Sequence, residues 1–409
     1  MRLSFNQIYA LNVNSIGNSQ ERLQMASAKL EKQTRILTPA DDPSGAARVA
    51  SLDNQIDSAS QYQTNSTMLS NSLNIEETVL RSIQGSIQQV KTLLISLGNG
   101  SNSQTEREAI AGEISNVRAE IFDLMNKQDS NGGFLFSGFD EKVQSYVYNE
   151  GTGYYDFKGN EGQKFLQVAA SVTIPANDSG KNVFENIDAR NKAINISSGG
   201  GITNPKVEVA SQSVFDGYFQ TNYDPLTAAN NDYRVTYTAP DQYAITLQSG
   251  TPLVPPVAGT VQPGQSISFN GLKISQSGTF PGTLDFSLKP PAKSNILNTL
   301  TDIVNAVLVD KRPPEDLKEY LVDANVQVDR ASLRVGETIS ALGGRQNLIR
   351  SVSESLEDLK IANKSYRANI YELDLVEGIT ELTKQETQLK VVQSTFTRVT
   401  ELSLFDYLR

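Results

Sequence analysis

Thr38–Ala50 reads TPADDPSGAARVA, and the parsing of that run decides the fold. Asp42 directly before Pro43 marks a helix start. The carboxylate can accept one of the orphan amides of the first turn, and proline at the first helical position gives up a donor that had no partner. Asp41 and Asp42 could also be a carboxylate or metal-ligand pair, but the proline that follows favours the cap. A helical pattern then runs from 43 to about 98, clearest at Ile83, Ile87, Val90, Leu94 and Leu97, where spacings of four and three alternate. At 1.5 Å per residue such a helix spans roughly 80 Å, a rod rather than a globule. GNGSNSQT (98–105) ends it.

Upstream, Tyr9, Ile16, Leu23, Leu30 and Leu37 recur every seven residues, while Gln20, Ser27 and Thr34 occupy the interleaved positions after Val13. This is half a coiled-coil seam, too weak to hold two strands unaided. Downstream, Ile110, Ile114, Val117, Ile121, Leu124 and Gln128 predict a further helix. From about 140 the period changes to two. Tyr146 and Tyr148, Tyr155 and Phe157, Tyr243 with Ile245 and Leu247, and Leu284 with Phe286 and Leu288 all alternate with other residues. Asn270-Gly271 between Ile267–Phe269 and Leu272–Ile274 predicts a hairpin with a type I′ turn. After Ser294 helical spacing returns. RPPEDLKEYL starts one helix, ALGGRQN (341–347) reads as a break with Gly343 and Gly344 in a turn, and Leu348, Val352, Leu359, Tyr366 and Ile370 continue the pattern. Leu389, Val392, Phe396 and Val399 close it.

The fold class expected is therefore α+β: a long antiparallel helical bundle or coiled coil built from both chain ends, with a β-rich inserted domain. Its parts are a helical assembly segment (1–42), two halves of the bundle (43–139 and 291–374), an outward insert (140–290) and a second assembly segment (375–409).

Composition excludes much chemistry. The 409 residues include no Cys, His or Trp, which removes disulfides, thiolate nucleophiles, imidazole bases and the usual zinc sites. The net charge of -10 comes without a basic stripe, against a nucleic-acid partner. The opening carries no secretory leader pattern, and no apolar run reaches the roughly 18 residues a membrane span needs. SSGGGIT (197–203) lacks the ending of a phosphate loop and reads as a flexible loop. The tyrosines at 146–155 could form a stacking platform, although sheet packing explains them more simply. No spacing marks a catalytic carboxylate pair, so neither enzyme nor cofactor is expected.

The end, TELSLFDYLR (400–409), is apolar where most chains are polar: Leu402, Leu404, Phe405 and Leu408 call for a partner. The two weak terminal seams can pair, with Ile16, Leu23, Leu30 and Leu37 against Leu389, Val392, Phe396 and Val399, inside the chain and between neighbouring copies.

These stretches carry a resemblance. MRLSFNQIY (1–9), LTPADDPSGAARVASLDNQI (37–56), NGGFLFSGF (131–139), LGGRQNLI (342–349) and TELSLFDYL (400–408) together resemble the flagellin superfamily and, within it, the hook-associated protein 3 family. Gly344 departs from the small residue many relatives carry there, and the insert holds no shared motif. The resemblance implies a structural subunit of the bacterial flagellum in a homo-oligomeric ring. Another hook-associated junction protein lies on its hook side and flagellin on its filament side. It also implies an extracellular location reached through the flagellar type III route, with a cytosolic export chaperone covering the C-terminal helix beforehand. No nucleic acid or membrane is implied. The rival readings are flagellin itself, or an adhesin acting through the insert.

Overall fold

The computed structural model describes residues 5–407 apart from 130 and 239. Helix α1 (Phe5–Lys32) is followed by α2 (Pro43–Leu97) and α3 (Gln104–Met125). Short strands come next: β1 (Tyr146–Asn149), β2 (Tyr154–Phe157), β3 (Phe165–Ala169), β4 (Val172–Pro175) and β5 (Ile187–Asp188). The larger β-region comprises β6 (Ala193–Val209), helix α4 (Gln212–Asn222), β7 (Asp232–Thr238), β8 (Gln242–Leu247), β9 (Pro252–Thr260), β10 (Ile267–Phe269) and β11 (Leu272–Leu288). After β12 (Lys293–Ser294) come α5 (Ile296–Leu308), α6 (Pro314–Tyr371) and α7 (Leu375–Tyr407). The fold is α+β, helical at both ends and β-rich between.

The chain divides into two compact units, one of residues 1–71, 165–174 and 345–409, the other of 72–164 and 175–344.

Helices α2 and α6 owe their length to a strict heptad repeat. On α2, Ala59, Ser66, Leu73, Leu80, Ile87 and Leu94 fall at successive sevens and are all buried; Leu69, Glu76, Ile83, Val90 and Leu97 interleave and are buried too. On α6 the buried series is Val328, Val335, Leu342, Ile349, Leu356 and Asn363. A repeat of 3.5 residues is the seam of a left-handed coiled coil. Two expectations fail here. The Gly343-Gly344 pair does not break the chain, because α6 continues through it. Glycine inside a helix costs about 1 kcal/mol, and burying Leu342 and Ile349 on either side contributes about 1.5–3 kcal/mol each. Leu348, Leu359 and Tyr366 are exposed rather than core, since the buried seam runs instead through Ile349, Leu356 and Asn363.

In the first unit α2 and α6 run antiparallel, tied by Gln63 Nε2 donating to Glu357 Oε2 at 2.6 Å, Asn363 Nδ2 to Gln55 Oε1 at 3.2 Å, and an Arg367–Asp53 ion pair at 2.5 Å. The β3–β4 hairpin belongs here, where Asn65 Nδ2 donates to the Gln167 carbonyl at 2.9 Å.

In the second unit the same pairing direction is marked by Lys91–Asp329 at 2.6 Å, an exposed contact worth little energetically. Helix α3 begins with a capping box, Ser103 accepting from the Glu106 amide while Glu106 accepts from the Ser103 amide. It ends at Met125, so Gln128 lies outside the helix and bridges to Phe134 instead. Helix α5 is buried on most sides and packs against α3 and β2. In the β1–β2 hairpin Tyr146 and Tyr155 are buried, leaving Tyr148 and Tyr154 exposed, so the four do not form one platform.

The main sheet has the antiparallel order β10-β11-β7-β8-β9, with β6 along the other side of β11. Its core is built from Tyr233, Val235, Ile245, Phe269, Leu284 and Phe286, covered by Phe215 and Phe219 of α4. Asn270 (φ 45) and Gly271 (φ 83) form the tight turn between β10 and β11. A Cβ on Gly271 would stand 2.6 Å from the Ser211 carbonyl, so the turn needs glycine for space as well as for φ. SSGGGIT is not a loop: it lies within β6, where Gly200 and Gly201 meet β11 so closely that a Cβ on Gly201 would fall 2.1 Å from the Thr279 carbonyl.

One buried charge ties this sheet. Asp285 accepts from Arg234 Nε (2.7 Å) and Nη2 (2.8 Å), from Ser197 Oγ (3.1 Å) and from Gln248 Nε2 (3.2 Å), which joins β6, β7, β11 and the turn after β8. The Arg234 side chain holds its carboxyl below the usual range against the opposing effect of burial. A depressed folded-state pKa gives stability that is present above the unfolded value of about 3.9 and is lost as pH falls through the lower folded value. Asp285→Asn should therefore lower the urea midpoint at pH 7, with the gap to the parent closing below about pH 4. A gap that stays constant down to pH 2 would mean the carboxylate's charge contributes nothing.

Candidate assembly interface

The first unit brings the two terminal helices together. The turn after α1 is built by carboxylates. Asp41 Oδ2 accepts from the Leu37 and Thr38 amides at 2.9 and 3.0 Å, bonds that hold its carboxyl below the ordinary value. Asp42 Oδ1 accepts from the Gly45 amide at 2.9 Å, with Pro43 as the first residue of α2. A Cβ on Gly45 would lie 2.3 Å from Asp42 Oδ2 and 2.8 Å from Ile36 Cδ1, so glycine lets the cap close over Ile36.

Across from this turn lies the α6–α7 junction. Arg35 donates its amide to the Tyr371 carbonyl at 2.8 Å, Leu373 donates to Gln33 at 3.1 Å, and Thr34 and Glu372 form an antiparallel bridge. Asp374 Oδ1 accepts from the Val376 amide at 2.8 Å and starts α7. Leu373 and Leu30 close over Gly378, where a Cβ would be 2.7 and 3.2 Å from their methyls. Neither Asp374 nor Gly378 was anticipated. Their signal was present in Asp374-Leu-Val-Glu377, an acidic residue three positions ahead of a glutamate before an apolar pattern.

Helix α7 runs antiparallel along α1. Tyr9 and Phe396 place their ring centroids 5.5 Å apart at one end, and the Thr34–Glu372 bridge sets the other. That register puts Ile16 level with Leu389, Leu23 with Leu382, and Val392 with Val13. Ile16, Leu23, Leu30, Leu389, Val392 and Phe396 are all half-buried. Leu37 stands beyond the end of α1, in the turn Asp41 holds, and so does not join the helical seam. Leu382 takes its place as an unanticipated partner. Leu408 and the side chains of Val399, Leu402, Leu404 and Phe405 lie outside the described residues.

The pairing leaves a second apolar face uncovered. Leu11 and Met25 on α1 and Val376 (75 % exposed), Ile379 (55 %) and Val391 (58 %) on α7 face outward. Between Ile379 and Val391 the surface carries three threonines beside Lys384 and Gln388: Thr380, Thr383 and Thr387 each donate their hydroxyl to the carbonyl four residues back, at 2.7, 2.9 and 2.8 Å. A hydroxyl satisfied in this way leaves its methyl as the outward group. The face is thus more apolar than its composition suggests.

Among the described residues no group of three or more acidic side chains is placed to hold a metal ion, and no helix is long and apolar enough to cross a membrane. The polar side chains described here cap and tie helices.

Residues 3–141 match the bacterial flagellin N-terminal helical region. The chain is 28% identical over 187 residues to flagellar hook-associated protein 3 of Salmonella typhimurium and 29% identical over 187 residues to that of Escherichia coli. Each match covers 46% of this chain and 58% of the relative's length. In three dimensions the fold is that of flagellar hook-associated protein 3 from Legionella pneumophila, with a TM-score of 0.61 at 21% identity over 79% of this chain and 98% of that one. The helical N-terminal region is thus that of bacterial flagellins, and the chain as a whole is similar in sequence and in fold to flagellar hook-associated protein 3, spanning little more than half the length of the curated relatives it matches.

Proposed function

We propose that the chain is a structural, non-catalytic subunit of the bacterial flagellum that joins hook to filament. The observation that carries this reading is the α1–α7 hairpin: one face of each terminal helix is spent on the other, and a second apolar face stays open to solvent. A lone hairpin of this kind gains little from hiding only part of its apolar surface. Copies side by side in a ring hide the remainder, at about 25 cal/mol per Å², and the repetition around a closed ring multiplies a small contact. In this reading the hook-side neighbour is another hook-associated protein and the filament-side neighbour is flagellin. The terminal faces are covered by an export chaperone before the subunit leaves the cell for its extracellular position. The strands between 140 and 290 take no part in the terminal pairing and serve as the outward portion.

Electron microscopy of flagella labelled through an epitope inserted at Gly250, a turn residue with open space around it, tests the role. A single band where the hook ends is expected. Label along the whole whip would make the chain a filament subunit, and label absent from flagella would end the structural reading.

A further inference from the structure

The β-rich region holds a cleft that the junction role does not use. It has a volume of about 740 Å³, within the range of small-molecule sites, and lies between α4, the loop that follows it, and the proline-rich β9. Its aromatic surface is the half-buried Tyr218, backed by Tyr233 and Phe269 of the sheet core. The Tyr218 ring stands edge-on to Phe269 with centroids 5.3 Å apart, and the Tyr218 and Tyr233 hydroxyls are 2.9 Å apart. Only one of those two protons is used between them, so the pair keeps a donor and free lone pairs. Burial raises both phenols far above neutral pH, so both remain protonated.

The polar side is Asp224 with Asn222, Asn230 and Asn270. Asp224 is fixed in place: its Oδ1 accepts from the Leu226 and Thr227 amides at 2.8 and 3.0 Å, and its Oδ2 from Asn230 Nδ2 at 2.7 Å. The buried Asn231 clamps the Asp224 backbone from both sides, accepting its amide at 2.9 Å and donating to its carbonyl at 2.7 Å. The polar groups are therefore pre-positioned, which reduces the ordering cost of binding.

Charge selects the ligand class. No Lys or Arg lines the cleft, and its single carboxylate repels anions, which excludes phosphorylated or acidic ligands. One carboxylate is too few for a metal ion. The Tyr218 ring and the prolines of β9, beside carboxylate, amide and phenol groups, suit a molecule with apolar C–H faces and many hydroxyls. We propose that this cleft binds a neutral saccharide of two or three units.

The test is titration of the full-length protein with a panel of neutral hexose and N-acetylhexosamine disaccharides and trisaccharides, followed by calorimetry and saturation-transfer NMR. At least one should bind. Tyr218→Phe, which keeps the ring and removes the hydroxyl, should weaken it about tenfold, the equivalent of about 1.4 kcal/mol. Thr221→Trp, at the exposed rim on α4, should abolish binding by filling the entrance while the circular dichroism stays unchanged. The proposal is overturned if no neutral sugar binds at millimolar concentration, or if binding survives both substitutions. Choline or a sialylated trisaccharide binding in preference would overturn it equally.

Discussion

Replacing Val376, Ile379 and Val391 together with glutamate should leave the isolated protein folded and strip cells of their filaments. All three side chains point away from the α1–α7 seam. Substitutions at exposed sites usually shift stability by no more than about 0.5 kcal/mol, and glutamate favours a helix more than β-branched Val or Ile does. The monomer should therefore keep its helical circular dichroism and its urea midpoint. In an assembled ring the same positions would press against a neighbour, where three carboxylates along one face of α7 meet an apolar surface without partners. Burying one unpaired charge already exceeds what a single apolar contact contributes, so assembly should fail outright rather than weaken. A cell carrying only this variant should make hooks, release flagellin into the medium and lose swimming in soft agar. Normal filaments on such cells would remove this face from the assembly surface. By contrast, Ile16→Glu acts inside the seam and should loosen α1 from α7 in the monomer itself, an effect visible as faster amide exchange in both helices.

The residues that carry this prediction were not those the sequence pointed to. Ile16, Leu23, Leu389 and Phe396 were legible because they recur at helical spacing, and they turn out to be the half already used within the chain. The free half was hidden for two reasons. Val376 and Ile379 fall where the direction of the partner helix, not the spacing, decides which face is covered. Thr380, Thr383 and Thr387 count as polar by composition, whereas their hydroxyls are turned back to the helix backbone. The same limit explains α6. Leu348 and Ile349 are adjacent, each belongs to an apolar series, and only the position of α2 selects the second. Glycine was misread twice in the same sense, at 343–344 and at 199–201. In the first case a continuous seam overrides a poor helix former. In the second, two strands approach so closely that only a residue without a side chain fits. What the pattern did give correctly was the start of α2 at Asp42-Pro43, the stripe from Ile83 to Leu97, and the Asn270-Gly271 turn. In each of these the cause is local, within one turn of helix or one hairpin.

Leu342→Ala separates these two readings of α6 by their energies. Were residues 341–347 a turn, Leu342 would stand at a helix end and its loss would be mild. In the continuous helix it is fully buried, one heptad from Val335 and one from Ile349. Truncation there removes the transfer energy of the lost methyls and leaves a cavity that a coiled-coil seam, fixed on both sides by further heptads, cannot collapse into. Such substitutions cost about 2–5 kcal/mol. Leu348→Ala, six residues on and 46 % exposed, should cost less than about 0.5 kcal/mol. Urea unfolding followed by circular dichroism measures both, with the midpoint falling and the slope unchanged for the first variant. Equal and small losses would place Leu342 outside the seam and restore a break at Gly343-Gly344. A large loss for Leu348 alone would shift the seam to the neighbouring apolar series, and with it the assignment of every outward residue on the C-terminal half of α6.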